Sequence, residues 1–260
     1  MLKEAAAKGI FKGIALNNNS PSITHLQFAD DTLIFLDKDL NSVKAEILKC
    51  KIGSWPMKYL GIPVGSSSKR KVFWVPLIMK MRQKLASWKA ESLNQAGRLV
   101  LIKSVMENLP THWLSLHRLP KSVLEQLEKI RRDFFWKDSD SSSGGNRRLH
   151  LTAWQNICKP KAQGGLGLVP LMIKNLSLLG KWSFRWYNDR SRSWNKWIKE
   201  KYKCSNQGSL NDVLRDKKLS NSLKDIWETS EHPSFKNILG SNSFSWTVRN
   251  GASVLFWEDV

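Results

Sequence analysis

The stretch Ile23-Thr-His-Leu-Gln-Phe-Ala-Asp-Asp-Thr-Leu-Ile-Phe-Leu36 contains the clearest strand pattern in the chain. Two runs rich in Ile, Leu, Phe and Thr, which favour strands, flank Asp30 and Asp31. Aspartate is tolerated in tight turns, so the pattern predicts a β hairpin with both carboxylates at its tip. Such oxygen ligands suit Mg²⁺, which is commonly held by one or two carboxylates and substrate phosphates. A solvated turn is the simpler interpretation of the same pair.

The chain that follows the hairpin changes from strand to helix periodicity. Residues 58–65 predict a short apolar strand bounded by glycines. A first amphipathic helix then follows, with its apolar residues at spacings of three and four. The members of that apolar stripe are Trp74, Ile78, Met81, Leu85 and Trp88.

Two further helices complete a predicted three-helix unit. Ser92 is the predicted N-cap of the second helix, which Pro110 ends, and the third begins at Pro120. The second helix presents Leu99, Ile102, Met106 and Leu109, and the third presents Leu124, Leu127, Ile130 and Phe134.

Basic residues are concentrated in two windows of a chain of 260 residues whose formal net charge is +20. Residues 69–118 contain 10 basic and 2 acidic side chains, and residues 147–203 contain 13 and 2. A surface without a polyanionic partner usually has interspersed positive and negative side chains, so this distribution indicates an RNA or DNA partner. The alternative is a basic surface that binds nothing. The candidate nucleic-acid-binding residues are Lys80, Arg82, Lys84, Lys89, Arg98, Lys181 and Arg185.

A polar, aperiodic stretch at residues 138–146 predicts a linker, and the chain beyond it is rich in tryptophan. From Trp182 to Trp197 the aromatic residues alternate with basic ones, a pattern that can stack on bases and hold phosphates. Trp182 and Trp186 are also one helical turn apart, so burial in a core is the favoured interpretation.

Several classes of protein are excluded or disfavoured by simple patterns. The three cysteines are far apart and form neither a disulfide framework nor a zinc motif. No apolar run approaches the roughly 20 residues that span a bilayer, and residues 1–9 lack the apolar core of a secretory signal. Neither glycine-rich stretch, at 61–69 or 164–167, has the spacing of a nucleotide-cofactor loop. We therefore expect an intracellular protein without a membrane partner or a small-molecule cofactor.

Residues 26–35, Leu-Gln-Phe-Ala-Asp-Asp-Thr-Leu-Ile-Phe, resemble the Phe-Ala-Asp-Asp box of reverse transcriptases from LINE-type (non-LTR) retrotransposons, particularly those of plants. Further boxes follow in the order of that family. They are the stretch 51–65 with its Lys-Tyr-Leu-Gly-Ile-Pro-Val-Gly end, the stretch 88–105, Phe135-Trp136, Gly164-Gly-Leu-Gly167, and the stretch 250–259 that resembles the approach to a zinc-binding region.

The resemblance implies an α+β fold of four parts. A remnant of the polymerase palm with its Asp-Asp hairpin would span residues 1–65, and a helical thumb-like unit would span 66–137. The linker at 138–146 and a Trp-rich, basic, helical region at 147–260 would follow. Asp30 and Asp31 would be the catalytic, Mg²⁺-binding aspartates of RNA-directed DNA polymerisation, and the basic thumb would grip the primer–template backbone. A nuclear location would accompany that activity.

The chain also departs from the family pattern. Only 29 residues precede Asp30, with Glu4 as their one acid, so the fingers and the upstream palm aspartate have no counterpart here. The gap at residues 37–50 is short, as after an internal deletion. We therefore expect a reverse-transcriptase-derived fragment that is catalytically incomplete alone. The alternatives are a non-catalytic, sequence-nonspecific nucleic-acid-binding protein that uses the two basic windows, and a product without a present role.

Overall fold

The computed structural model describes residues 4, 8, 13–15, 22–36, 49–87, 93–136, 151–188, 192–203 and 218–233. These residues form a mostly helical structure with two small antiparallel hairpins, so the predicted α+β class is confirmed. Trp88, Lys89, Ser92, the linker at 138–146 and the stretch at 250–259 lie outside the described residues. The predicted boundaries of the four parts stay a prediction.

The first hairpin pairs β1 (His25–Phe28) with β2 (Asp31–Ile34). Its register sets Phe28 opposite Asp31 and His25 opposite Ile34, so Ala29 and Asp30 form a two-residue turn. Ala29 has a φ of 51°, in the left-handed region that is unusual for a residue with a side chain. The sequence therefore predicted this hairpin correctly but placed its turn one residue too late, because Asp31 belongs to β2.

The second hairpin replaces the single strand expected over residues 58–65. β3 (Met57–Tyr59) pairs with β4 (Ile62–Val64), and the chain reverses at Leu60 and Gly61. Both turn residues have positive φ, 49° and 82°, which is the backbone of a tight hairpin turn that suits the right-handed twist of strands. The prediction of one strand was wrong because a glycine inside an apolar run was read as flanking sequence instead of a turn.

The helix α1 (Lys71–Ser87) follows the second hairpin. Phe73, Trp74, Leu77 and Met81 form its buried face, at the three- and four-residue spacing of one side of a helix. The indole N–H of Trp74 donates to the Ser68 carbonyl at 2.7 Å, which satisfies its polar atom inside the core. The predicted stripe is confirmed at Trp74 and Met81, whereas Ile78 and Leu85 are half-buried.

The helix α2 (Gln95–Leu101) begins at Asn94 and continues into a π turn at Ile102–Met106. The Asn94 side chain accepts a hydrogen bond from the Gly97 N–H at 2.8 Å, which is the geometry of an N-cap. Asn94 therefore has the role predicted for Ser92. A short helix, α3 (Thr111–Leu114), follows Pro110.

The helix α4 (Lys121–Phe135) packs against α1 and α2. It begins directly after Pro120, as predicted, and buries Val123, Leu127, Phe134 and Phe135. Their spacing gives α4 one strongly apolar face, which explains why it lies in the middle of the helical core.

Four more helices complete the described chain. They are α5 (Trp154–Ile157), α6 (Leu171–Asn188), α7 (Ser193–Tyr202) and α8 (Asn221–Ser230), with a 3₁₀ turn at Lys161–Gln163 between α5 and α6. Gly164 and Gly167 have φ of 78° and 67°, so the glycine-rich stretch that follows the 3₁₀ turn uses backbone conformations that favour glycine. Within the described residues, none of the helices is long and apolar enough to cross a bilayer.

The chain divides into two compact units. The first contains residues 1–67 and 185–217, which include both hairpins and α7. The second contains residues 68–184 and 218–260, which include α1 to α5, most of α6, and α8.

Candidate nucleic-acid interface

The predicted catalytic pair lies at the closed end of the first hairpin. Asp30 occupies the turn and Asp31 is the first residue of β2, and both side chains are exposed. The pair is therefore exposed to solvent at the closed end of the hairpin.

The donor set at this hairpin is too small for a two-metal centre. Over the described part of the chain, no group of three or more His, Cys, Asp or Glu side chains could hold a metal ion. Mg²⁺ often binds one or two carboxylates and completes its shell with substrate phosphates and water. Asp30 and Asp31 therefore fit one cation shared with a bound phosphate, but do not by themselves fit the paired ions of phosphoryl transfer.

Three of the predicted nucleic-acid-binding residues lie on α1. The side chains of Lys80, Arg82 and Lys84 are all exposed. Lys80 and Lys84 are one helical turn apart and share one flank of α1, whereas Arg82, two residues from each, lies on the opposite flank. The second half of α1 therefore presents positive charge on both flanks of the helix.

The outer face of α1 also carries apolar side chains that sequence reasoning missed. Val72, Val75 and Met79 are 77%, 42% and 56% exposed, and they occupy spacings of three and four residues. The helix thus has two apolar stripes, one buried and one in solvent. The signal was present in the sequence, because Val72, Val75 and Met79 recur at helical spacing on the side of the helix away from Trp74.

Arg98 is the clearest correction among the predicted binding residues. Its side chain is only 3% exposed, because it lies on the face of α2 that leads through Ile102 to Met106, both buried. An arginine on that stripe belongs to the core and presents no charge to a ligand. Lys89 lies outside the described residues.

The predicted binding residues Lys181 and Arg185 both lie on α6 but belong to different compact units. In the second unit, Lys181 is half-buried, and its neighbour Trp182 donates its indole N–H to the Ser115 carbonyl at 2.7 Å. In the first unit, Arg185 is exposed and Trp186 is buried. Both tryptophans are packed against protein, which agrees with the core interpretation.

The first unit has a second basic surface, around α7. The ring of Trp186 lies 6.1 Å from that of Trp194, and Asn195 donates its amide N–H to the Trp186 carbonyl at 3.1 Å. Lys199 lies over the Trp186 ring at 5.5 Å, a cation–π arrangement. Four more basic side chains of this segment are exposed: Arg192, Lys196, Lys201 and Lys203.

A buried ion network supports the helices of the second unit. Arg131 on α4 is fully buried and donates to Glu107 at 3.1 Å, to Glu128 at 3.0 Å and to the Val169 carbonyl at 3.1 Å. Its guanidinium carbon lies 5.9 Å from the centre of the Trp154 ring. A buried charge of this kind is costly unless it is paired, and here two carboxylates and a carbonyl accept hydrogen bonds from its two terminal nitrogens, while the buried Nε donates none.

The two carboxylates of that network also anchor the chain around the start of α6. Glu128 accepts the Leu171 N–H at 2.8 Å and the Trp154 indole N–H at 2.9 Å. Glu107 accepts the Val169 N–H at 3.0 Å. The network therefore fixes the segment that follows the predicted linker onto α4.

Two titratable groups near the network have shifted pKa values. Burial lowers the pKa of Lys174, which Arg131 lowers further and Glu107 opposes. Burial, followed by the charges of Glu128 and Glu107, raises the pKa of the Cys158 thiol to about 11 against the opposing effect of Arg131. Cys158 is therefore a protonated thiol at neutral pH, which does not suit a nucleophile.

The helix α8 is attached to the second unit through polar contacts. Asp225 accepts the Arg118 N–H at 3.0 Å, and Glu228 forms an ion pair with the Arg118 side chain at 3.0 Å. Burial raises the pKa of Asp225, although the Arg118 hydrogen bond opposes this shift. Nearby, burial lowers the pKa of His117 to about 4. The His117 ring packs edge-on against the Phe73 ring, with 4.9 Å between the two ring centroids.

Comparison with known proteins found relatives in Arabidopsis thaliana. A protein named "Putative ribonuclease H protein" is 26% identical over 186 residues, which cover 70% of this chain and 28% of that protein. A second, named "Uncharacterized mitochondrial protein", is 38% identical over 78 residues, which cover 30% of this chain and 48% of that protein. No family model matches the chain. The chain thus spans about a quarter and about half of the lengths of these two plant homologues.

Proposed function

We propose that the chain is a fragment derived from a retrotransposon reverse transcriptase that binds nucleic acid without sequence preference. The observation that carries this proposal is the solvent-exposed surface of α1, which presents Lys80 and Lys84 on one flank, Arg82 on the other, and Val72, Val75 and Met79 between the flanks. Cations hold phosphates irrespective of base sequence, and apolar side chains contact sugars and base edges.

The relatives support a role with nucleic acid, though they do not name a reverse transcriptase. One of them carries a ribonuclease H name, and ribonucleases act on nucleic acid. That name adds to the resemblance of the Phe-Ala-Asp-Asp box and to the net charge of +20. Each of these observations favours a polyanionic partner of the same chemical class.

Binding to a short duplex, measured over a range of salt concentrations, tests the proposal. We expect the logarithm of affinity to fall linearly with the logarithm of salt concentration. Replacing Lys80, Arg82 and Lys84 together by Gln removes up to three phosphate contacts and should reduce that slope by about 2 to 3.

The matched control removes the same charge elsewhere in the second unit. Lys121, Lys129 and Lys224 are basic residues of α4 and α8, outside α1, and their triple replacement by Gln should change the slope less than the α1 triple does. Equal effects of the two triples would show that only total charge matters. Salt-independent binding would contradict the proposal altogether.

A second candidate, residual RNA-directed DNA polymerisation, is favoured by the position of Asp30 and Asp31 at one hairpin end. In that activity the two carboxylates would hold Mg²⁺ against the phosphates of primer and incoming nucleotide, and the ion would stabilise the charge that develops on transfer. Primer extension on an RNA template, with the Asp30→Asn/Asp31→Asn double variant as control, tests it. Incorporation that the double variant retains would rule out a role for the pair.

A further inference from the structure

A row of basic side chains runs along α7 in the first unit. Arg192 and Lys203 are the residues at the two ends of the helix, and Lys196 and Lys199 lie between them. Spacings of four, three and four residues place all four on one side of α7, and we call this row the α7 stripe. Glu200 is the one acidic residue from 192 to 203, and it borders the stripe one turn after Lys196.

Three members of the α7 stripe present their charge to solvent. Arg192, Lys196 and Lys203 are exposed, and over the described residues no carboxylate forms an ion pair with any of them. Like charges one helical turn apart repel each other, as Arg192 and Lys196 do here. A row of cations that the fold leaves uncompensated indicates a partner that supplies the anions.

The fourth member, Lys199, is positioned by the aromatic residues beneath it. Its ammonium lies 5.5 Å from the centre of the Trp186 ring, which is buried. Trp186 in turn packs against the Trp194 ring, and its carbonyl accepts the Asn195 amide N–H. A cation that is already held in the folded protein loses less conformational freedom when it binds a partner.

The length of the α7 stripe fits one strand of nucleic acid. Eleven helical steps separate its first and last residues, which is about 16 Å. Over that distance one strand of B-DNA carries about five phosphates. Four cations on one side of a helix therefore match the charge of a single backbone, and they hold phosphates irrespective of base sequence.

We propose that the α7 stripe is a separate binding site for the phosphate backbone of one nucleic-acid strand. The inference takes its class of partner from the proposed function but not its surface, because α1 belongs to the other compact unit. The stripe contributes up to four phosphate contacts of its own.

Chemical acetylation of lysines, measured by mass spectrometry on the free and the bound protein, tests the site directly. With a single-stranded oligodeoxynucleotide at about ten times its Kd, we expect acetylation of Lys196 and Lys203 to slow by about tenfold. Lys201 is the matched control, because it is exposed on the opposite side of the same helix, and its rate should fall by less than about twofold. Equal protection of the three lysines, or none, would overturn the proposal.

The salt dependence of binding gives a second test. Replacing the exposed members of the stripe together, in Arg192→Gln/Lys196→Gln/Lys203→Gln, removes up to three contacts to a single strand and should reduce the slope by about 2. The control Lys51→Gln/Lys58→Gln/Lys201→Gln removes the same charge from exposed positions of the first unit outside the stripe. Equal reductions would overturn the proposal, because only the net charge would then matter.

The triple Gln variant of α1 separates this inference from the proposed function. Protection of Lys196 that persists in that variant supports a separate site, and protection that disappears would overturn it. If the α1 variant binds as tightly as the unchanged protein while Lys196 stays protected, the α1 site fails and the α7 stripe stands. An oligonucleotide that does not bind at all overturns both. Tighter binding of polyglutamate of the same charge would overturn the inference, since the partner would then be an acidic protein.

Discussion

The two hairpins and the helical core of the second unit bury their apolar residues to very different extents. In the hairpins Phe28 is 62% exposed and Leu26 39% exposed, and Trp55, which precedes β3, is 65% exposed. Among the large apolar side chains of the described hairpin strands, that of Ile62 is buried. In the second unit α1, α2 and α4 bury Trp74, Leu77, Met81, Ile102, Met106 and Leu127 almost completely.

The difference bears on the two proposed functions, nucleic-acid binding and residual polymerisation. The Asp30–Asp31 pair lies on a two-stranded hairpin, and such a sheet is at best marginally stable in isolation. The exposed cations of α1 lie on a helix with a buried apolar face beneath it. The proposed binding through α1 therefore rests on structure that is well packed, whereas the second candidate, chemistry at the hairpin, rests on structure that is not.

The largest change in stability is expected for Arg131→Met, in the helical core of the second unit. The substitution removes the fully buried cation between the partly buried Glu107 and Glu128 carboxylates, so we expect the free energy of unfolding to fall by about 3 to 5 kcal/mol. Urea denaturation at neutral pH measures it, and Lys129→Met, on the exposed side of α4, is the control. Adding Glu107→Gln and Glu128→Gln should recover part of the loss. A loss below about 1 kcal/mol would mean that the network adds little to the core.

The next test is Asn175→Leu, which conserves volume but removes three hydrogen bonds. The Asn175 amide accepts the Leu119 N–H at 2.8 Å and donates to the Leu114 and His117 carbonyls at 2.8 and 2.9 Å. Leaving those buried groups unpaired should cost about 3 kcal/mol in urea denaturation. The exposed Gln126→Leu should change stability by less than about 0.5 kcal/mol, and a similar effect of both would refute the assignment.

His117→Phe tests the pH dependence of the helical core. Because the folded pKa of His117, about 4, is below its ordinary 6.5, the unfolded chain binds more protons between these values. The contribution of neutral His117 to the free energy of unfolding is therefore fully present above pH 6.5. It decreases as the pH falls, by about 2 kcal/mol at pH 5. The raised pKa of Asp225 acts in the opposite direction in acid.

The phenylalanine variant keeps an edge-on ring against Phe73 but cannot be protonated. Thermal or urea unfolding from pH 7.5 to pH 5 should therefore show a flatter profile for the variant. Identical profiles for the two proteins would contradict the burial of a neutral imidazole.

The smallest effect is expected in the second hairpin. Gly61 and Gly65 both have positive φ, so Ala at either position strains the backbone by about 1 kcal/mol. Only at Gly65 would the new Cβ also meet the Trp55 ring, at 2.5 Å. Hydrogen exchange of the β3–β4 amides measures the free energy of opening this hairpin. We expect it to fall by about 2 kcal/mol in Gly65→Ala and by about half of that in Gly61→Ala. Equal losses would show that Trp55 does not pack there.

Helix positions were predictable from the sequence where one apolar stripe dominates. Trp74, Met81 and Leu127 follow the three- and four-residue spacing, and Pro120 marks the start of α4. The choice between Ser92 and Asn94 as N-cap was not decidable, since both residue types cap helices equally well and only the register of the first turn distinguishes them.

Arg98 was wrongly predicted to contact nucleic acid because its charge was taken as a sign of exposure, and the buried role of Arg131 was not predicted at all. Arg98 is four residues before Ile102, and Arg131 is four residues after Leu127, so both occupy the apolar stripe of their helices. A charge on such a stripe signals a buried partner elsewhere in the chain. The partner Glu107 of Arg131 is 24 positions away, and no local pattern joins the two.

The amide of Asn175 has one more consequence, for covalent modification. Asn175-Leu176-Ser177 has the acceptor pattern for N-linked glycosylation, in which a sugar would be attached to the same nitrogen that donates to the Leu114 and His117 carbonyls. In the folded protein that nitrogen is buried and both of its protons are engaged. The folded state thus excludes an oligosaccharide at this position, so a glycosylated Asn175 would be a marker of chain that had failed to fold.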